Sequence, residues 1–376
     1  MENRDLILAL NSGSSSLKFG LYAGGESDEV PVLTGSATGI GRDDGALQIR
    51  AADGVAMVQR ECIHESQLQA LTTLASEIRN HFHGTPIAVG HRVVHGGPHL
   101  LSHQRITPQV LEQLEAAIHF APLHIPQSLA LIALAQSIFT DAEHFACFDD
   151  AFHQTLPEVA YHLALPRRYL DAGVRRYGFH GLSYASLVHH FGANLPARAI
   201  FAHLGNGASL CALRDGRSID TTMGMTPTGG IPMGTRSGDL DPGVLLFLLR
   251  NEITDTDELE EVLNHASGLF ALSEGESDVK SLEERARAND PKAALALEIF
   301  TTSIRKTIGA YIALMGGVDM LVFTGGIGEH SEYVRSAATR GLEALGVRPA
   351  MIQTVRADEE RQIARHCRAM TNQRSE

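Results

Sequence analysis

Long apolar runs are missing from this 376-residue chain. Stretches such as Val244–Leu249 fall far short of the roughly 20 apolar residues that a membrane-spanning helix needs. The opening Met1-Glu2-Asn3-Arg4-Asp5 carries two acids ahead of a short apolar run, which is not the pattern of a secretory signal. Cysteine is scarce as well. Cys62, Cys147, Cys211 and Cys367 form no CxxC pair, and their spacing fits neither a zinc site nor a disulfide framework. Buried thiols in a reducing, cytoplasmic compartment are the expectation. Cations are outnumbered, with 31 Lys and Arg against 44 Asp and Glu and a net charge of -13. That balance argues against a general binder of nucleic acid or anionic membrane. An anionic substrate would need Arg and Lys gathered locally. Two motifs are absent too. No GxxxxGK[ST] phosphate loop occurs, and no HExxH. His91, His95, His99 and His103 are spaced by four, but Gly96-Gly97-Pro98 forbids the continuous helix that would align them as ligands. A histidine-held catalytic metal is therefore not expected.

What is present begins with Leu6–Tyr22. An apolar run stops at Asn11, five small or polar residues follow, and Leu17, Phe19 and Leu21 then alternate with other residues. This reads as strand, tight turn, strand. The turn combines an amide, a glycine and four serine hydroxyls, with Lys18 just beyond. Small side chains let backbone N–H groups approach an anion, and a lysine adds a point charge that suits phosphate. A plain hairpin turn has the same composition. A chain of this length exceeds one hydrophobic core, so two domains are expected. Short apolar runs alternate with longer helical patterns, as in α/β proteins. Strands are expected at 87–90, 145–148 and 320–323. Helices are expected at 108–119, 127–139 and 292–315, the last stopped by Gly316-Gly317. The segment 324–328 reads as a turn. Ala199–Leu213 repeats the opening grammar of strand, Asn/Gly/Ser turn and strand. Two unrelated hairpins would look the same, as would a duplicated fold holding a ligand between its halves.

Three further clusters carry chemistry. Met223–Gly243 is too rich in Gly and Pro for regular structure, and a long irregular stretch inside a compact domain usually has a function. Its Arg236 sits among small residues and suits bidentate capture of a carboxylate or phosphate. Arg92 follows a strand and precedes the Gly96-Gly97-Pro98 turn, a strand-end position typical of α/β active sites. Asp149 follows the 145–148 strand and suits a water-mediated Mg²⁺ contact, the orienting of a nucleophile, or a helix N-cap. His180 lies between glycines in Tyr177-Gly178-Phe179-His180-Gly181, where it would donate to a transferring phosphoryl group or serve only the turn.

The ordered set of segments 11–19, 90–97, 148–153, 177–181, 203–209, 233–242 and 323–330 resembles the acetate kinases. These belong with the sugar kinases, actin and the heat-shock chaperones. The resemblance implies an α/β, two-domain, actin-like and ribonuclease H-like duplicated fold with its active-site cleft between the domains. On that pattern residues 1–148, joined by 360–376, form one domain and 149–359 the other, which carries most of the nucleotide site. The implied reaction is reversible, Mg²⁺-dependent, in-line transfer of the ATP γ-phosphoryl group to acetate, giving acetyl phosphate and ADP. Mn²⁺ is the alternative ion, and a cytoplasmic homodimer is the implied form. Carried over residue by residue, Asn11 and Glu359 would hold the metal. Arg92, Val94, Leu123, Phe179 and Pro227 would bind the substrate, and Asp149, His180 and Arg236 would be catalytic. Lys18, His203, Leu204, Gly205, Asn206, Gly207, Asp278, Val279, Lys280, Gly326, Ile327, Gly328, Glu329 and His330 would contact the nucleotide. The chain departs from the pattern at Thr228-Gly229, where Leu-Glu is common, at Lys280 for Arg, at His330 for Asn and at Asp358 for Asn. A propionate or other short-chain carboxylate kinase is the nearest alternative. An ATPase chaperone or filament protein on the same fold would not need Arg92 and Arg236 as acceptors of a carboxylate.

Overall fold

A computed structural model describes residues 5–13, 15–25, 28–82 and 84–372. The N-terminal 1–4 and Ser14 of the first turn lie outside them. The strands are β1 (Leu6–Ser12), β2 (Ser16–Gly24), β3 (Glu29–Thr38), β4 (Ala46–Ala51), β5 (Ala56–Glu61), β6 (Ala88–Val93), β7 (Gln104–Arg105), β8 (Glu143–Phe148), β9 (Arg198–Leu204), β10 (Ala208–Arg214), β11 (Arg217–Thr221), β12 (Met320–Thr324) and β13 (Ile352–Thr354). They form two sheets, ordered β5-β4-β3-β2-β1-β6-β8-β7 and β11-β10-β9-β12-β13.

The chain divides into two compact units. The first holds the described residues up to Ala151, Gly181–Ser186 and those from Asp358 onward; the second holds Phe152–His180 and Leu187–Ala357. Within each unit the sheet has one shared pattern. In the first, β3, β2 and β1 run antiparallel and β6 and β8 continue parallel to β1. In the second, β11, β10 and β9 run antiparallel and β12 and β13 continue parallel to β9. The two Asn/Gly/Ser hairpins are the same element of a duplicated fold.

The first sheet is covered on both faces, which is why β1 reads as a continuous apolar run. Leu6, Leu8, Leu10, Leu17, Phe19 and Leu21 face one core with the helix Gln67–His81, which Ser66 caps. Ile7, Ala9 and Tyr22 face the other, against Ile363, Ala364 and Cys367 of the C-terminal helix Glu359–Asn372. Gly90 makes that approach possible, because a Cβ there would lie 2.4 Å from Ile363 and 2.5 Å from Cys367. Arg365 and Arg368 pin the same helix to Asp28 and Glu29. In the second unit the helix Pro291–Met315 starts at an Asp290 cap with Pro291 in its first turn. It ends at Gly316 in the left-handed region, where Gly317 N–H donates to Ile312 O. Its Phe300, Ile304 and Ile308 are fully buried.

Three expectations change. The helix at 108–119 stops at Ala116 and tightens into a 3₁₀ turn at Ile118–Phe120. Arg92 lies inside β6 (Ala88–Val93) and does not follow it. Residues 325–330 form a short helix where a turn was expected.

Candidate active site

In the first unit three neighbouring strand ends converge. β1, β6 and β8 run parallel, so the carboxyl ends that carry Asn11, Arg92 and Asp149 sit side by side. Arg92 donates from Nε (2.9 Å) and Nη2 (2.5 Å) to Asp149 Oδ2, and from Nη1 (2.7 Å) to Ser12 O. Burial opposes the Arg92 charge, but Asp149 and Glu359 raise its pKa further above the ordinary value. Burial also pushes Asp149 up to about 6. Arg92 pulls it down, while Glu359 and Asp150 add to the rise. At pH 7 the pair is ionised on both sides.

Asn11 faces Lys18 across the hairpin register. Its Nδ2 donates to Glu359 (2.8 Å) and Glu360 (2.7 Å), the first two residues of the C-terminal helix. The Glu360 carboxyl is raised by burial and by Glu359, and lowered by Lys18. Glu360 was not picked out from sequence. Its only signal there is its place beside Glu359 at a helix start. Asn11, Lys18, Arg92, Asp149 and Glu359 therefore belong to one cluster, with Glu360 as a further member. Val94 is buried, and Leu123 is 39% exposed. Beyond Val94, Asp150 Oδ2 accepts from Gly96 N–H (3.1 Å) and contacts His95 Nδ1 (2.9 Å), which fixes the Gly96–Pro98 turn.

In the second unit the β9–β10 turn is the centre. Gly205 N–H donates to Gly207 O (3.0 Å). His180 stacks on His203, with ring centroids 4.2 Å apart, and its Nδ1 lies 2.9 Å from Ser209 Oγ. A Cβ on Gly207 would come within 3.3 Å of His180 Nε2 and 3.5 Å of Arg236 Nη1. Two potential N–H donors thus converge on a bare stretch of backbone. Arg236 Nη1 also donates to the carbonyl of buried Pro227 (3.2 Å). The irregular segment holds its shape through backbone pairing. Gly234 N–H reaches Asn206 O, and Leu269 and Phe270 N–H reach Met233 O and Gly234 O. Gly268, at φ +61°, permits that contact, since a Cβ there would lie 2.2 Å from Met233 O. Nothing in the local sequence around Gly268 flags this role.

The short helix Gly325–His330 follows β12 and lies beside Leu204. Gly325, at φ +78°, would clash with Leu204 O if it bore a Cβ. Glu329 accepts from Gly325 N–H (3.1 Å), and Arg335 closes the helix by donating to Gly328 O and Glu329 O. Gly326 and His330 are exposed, Ile327 is half-buried and Gly328 is buried. Ser331, the next residue, bonds Glu283 of the helix Val279–Arg287 (2.5 Å). Asp278 caps that helix, Val279 is buried in its base and Lys280 is exposed.

The acetokinase family model matches residues 6–370. The chain belongs to the acetokinase family. It is 38% identical to an acetate kinase of Methylocella silvestris, over 98% of each chain. It is 42% identical to a propionate kinase of Citrobacter rodentium, over 91% of this chain and 86% of that one. Two solved structures share its fold. A Porphyromonas gingivalis acetate kinase matches with TM-score 0.83 and 34% identity, over 98% of this chain and all of that one. A Francisella tularensis propionate kinase matches with TM-score 0.88 and 33% identity, over 97% and 100%. Membership in the acetokinase family makes this chain an enzyme, a phosphotransferase with a carboxyl group as acceptor. Among the described residues no helix is long and apolar enough to cross a membrane.

Proposed function

We propose that this acetokinase-family enzyme is an acetate kinase, transferring the γ-phosphoryl group of ATP to acetate and back. The observation that carries the reading is the convergence of His180 and Arg236 on Gly207. Phosphoryl transfer asks for little covalent chemistry and much positioning and charge neutralisation. A glycine turn with an imidazole and a guanidinium aimed at it offers a cradle for phosphoryl oxygens, stabilising charge in the transition state. His203–Gly207 and Gly325–His330 supply backbone beside it for the nucleotide phosphates, and Asp278–Lys280 lie on the helix tied to Ser331. Arg92 uses one N–H from each of its three nitrogens in the contacts above, which leaves two of its five N–H groups for the substrate carboxylate. A carboxylate is ionised at neutral pH and needs no strong base. Asp149 accordingly orients Arg92 and contributes to the metal environment. Val94 and Leu123 in the first unit, and Phe179 and Pro227 in the second, are the apolar residues we assign to the acyl group.

The metal side fits Mg²⁺ by the chemistry of its donors. Asn11, Glu359 and Glu360 carry hard oxygen donors, and the two carboxylates lie side by side, each accepting from the Asn11 amide. Among the described residues no cluster of three or more His, Cys, Asp or Glu is set to enclose an ion. When bound, Mg²⁺ would neutralise the nucleotide's phosphates. Four unpaired cysteines suit the reducing cytoplasm. The exposed apolar helix Pro242–Asn251 supports a homodimer.

Propionate is the second reading, favoured by the 42% identity to a propionate kinase. A small apolar pocket separates substrates differing by one methylene by only about 1–3 kcal/mol. The deciding assay follows ADP release with formate, acetate, propionate and butyrate, and with no acid. Acetate-dependent release that exceeds propionate-dependent release supports the proposal. Faster turnover of propionate selects the second reading, and ADP release without any acid overturns both.

A further inference from the structure

His153 takes no part in the chemistry above, yet it is fully buried in the second unit, in the 3₁₀ turn Ala151–Thr155. Its Nε2 lies 3.0 Å from Phe179 O and its Nδ1 lies 2.8 Å from Ser218 Oγ. A carbonyl only accepts, so Nε2 carries the proton. Burial lowers the pKa of this imidazole to about 4 and keeps it neutral. Nδ1 is then an acceptor, and the Ser218 hydroxyl donates to it. Ser218 Oγ in turn accepts from the Cys211 thiol at 3.3 Å. The result is a one-way chain of hydrogen bonds from β10 through β11 and His153 to the carbonyl of the residue before His180.

The chain ends beside an uncommon backbone conformation. His180 has φ +60°, a left-handed conformation that a non-glycine residue holds only when its surroundings impose it. Gly178, at φ +78°, packs so tightly on the His153 ring that a Cβ would lie 2.6 Å from it. Arg176 donates to Ala160 O, Thr221 O and Thr222 O, and Tyr177 N–H donates to Gly224 O. Arg176 and Tyr177 are thus anchored from the β11 side, and the Phe179 carbonyl by His153.

We propose that His153 is a positioning residue, holding the Phe179–His180 peptide so that His180 Nε2 faces Gly207 and Arg236. The inference rests on His180 acting in phosphoryl transfer. A phenyl ring would fill the same space but leave Phe179 O and Ser218 Oγ without this partner.

A kinetic cycle on the full-length enzyme tests it, with His153→Phe, His180→Ala and the double variant assayed with acetate and ATP. Turnover is normalised to ADP-binding sites measured by calorimetry, which removes any unfolded fraction. His153→Phe should lower kcat about ten- to a hundredfold, the scale expected for a misplaced catalytic group, with KM values unchanged. In the His180→Ala background it should lower kcat no further. His153→Gln, which keeps an N–H donor, should recover part of the loss. Should His153→Phe not fold, Ser218→Ala and His153→Gln enter the same cycle. Ser218→Ala should lower kcat more mildly, and only when His180 is present. Unchanged turnover in His180→Ala would overturn the role of His180 itself. An impaired His180→Ala variant would leave that role standing. In that case, a normal kcat in the His153 variants, or an equal loss in both backgrounds, would overturn the positioning role alone.

Discussion

Arg92 and Asp149 are joined through a single oxygen: two guanidinium nitrogens, Nε and Nη2, both reach Asp149 Oδ2. Arg92 comes from β6 and Asp149 from the end of β8, and the parallel register that pairs Val93 with Phe148 sets their spacing. The arrangement gives Asp149 a role that does not require it to take a proton from the substrate. It holds the cation that we propose faces the carboxylate, in a setting where burial, and then Glu359 and Asp150, oppose its own ionisation.

Asp149→Asn should therefore cost about a hundredfold or more in kcat/KM, because Arg92 loses its orientation and the metal side loses a charge. The wild-type rate should also fall on the acid side with an apparent pKa near 6, where Asp149 takes up its proton. The residual activity of the Asn variant should lack that limb. Steady-state rates from pH 5 to 8 check both points. An acid limb near 4, or wild-type turnover in Asp149→Asn, would refute this assignment.

Arg236→Ala should lower kcat by about two to three orders of magnitude, with little change in the KM for ATP, if the guanidinium acts, as proposed, on charge that develops during transfer. Lysine should rescue poorly, because its shorter side chain and compact ammonium do not reproduce the planar guanidinium that reaches the Pro227 carbonyl beside Gly207. Equal rises in KM with kcat preserved would place Arg236 in ground-state binding instead.

Much of this frame was legible in the residues themselves. The hairpin of β1 and β2 shows as alternation of Leu17, Phe19 and Leu21, because one face of a strand must be buried. The helix Pro291–Met315 announces both ends through Asp290-Pro291 and Gly316-Gly317. What stayed hidden depends on long-range contact. Gly325–His330 is glycine-rich and reads as a turn; it is helical because Arg335 and Glu329 satisfy its ends. Glu360 shows in the sequence only as the neighbour of Glu359, and His153 and Ser209 only as the ends of segments 148–153 and 203–209; what each bonds is hidden, since each acquires its partner only when distant strands and helices meet.

Acid should unfold this protein through its buried histidines. His144 Nε2–H points at Phe139 O, so His144 Nδ1 must accept from His91 Nε2–H. His103 Nδ1 accepts from Phe148 N–H, and His366 Nε2 accepts from the Gln362 amide. Each acceptor site excludes a second proton. Burial lowers His91 and His103 to about 3 and His366 to about 4, from an ordinary 6.5. The unfolded chain thus binds more protons between those values. The stability is full above pH 6.5 and is lost as pH falls toward 4, by an amount on the order of a few kcal/mol. Urea midpoints at pH 7, 6 and 5 measure it. A flat profile down to pH 5 would contradict this account.

The helix Pro242–Asn251 buries none of its residues, although its sequence is almost wholly apolar. Leu246 and Phe247 are 51% and 57% exposed, and Val244, Leu249 and the preceding Leu240 are exposed beside them. An exposed apolar face of this kind suits an association surface, because leaving it in water forfeits the hydrophobic stabilisation of several side chains. In the proposed homodimer this helix should supply the central contacts, with Phe247 as an anchor. Phe247→Glu then places a charge in that face and should weaken association by about 2 kcal/mol or more. Sedimentation at micromolar concentration should show a dimer for the natural sequence and a monomer for the variant, with unchanged circular dichroism. A dimer that survives both Phe247→Glu and Leu246→Glu would move the interface elsewhere, and a natural sequence that sediments as a monomer would remove it.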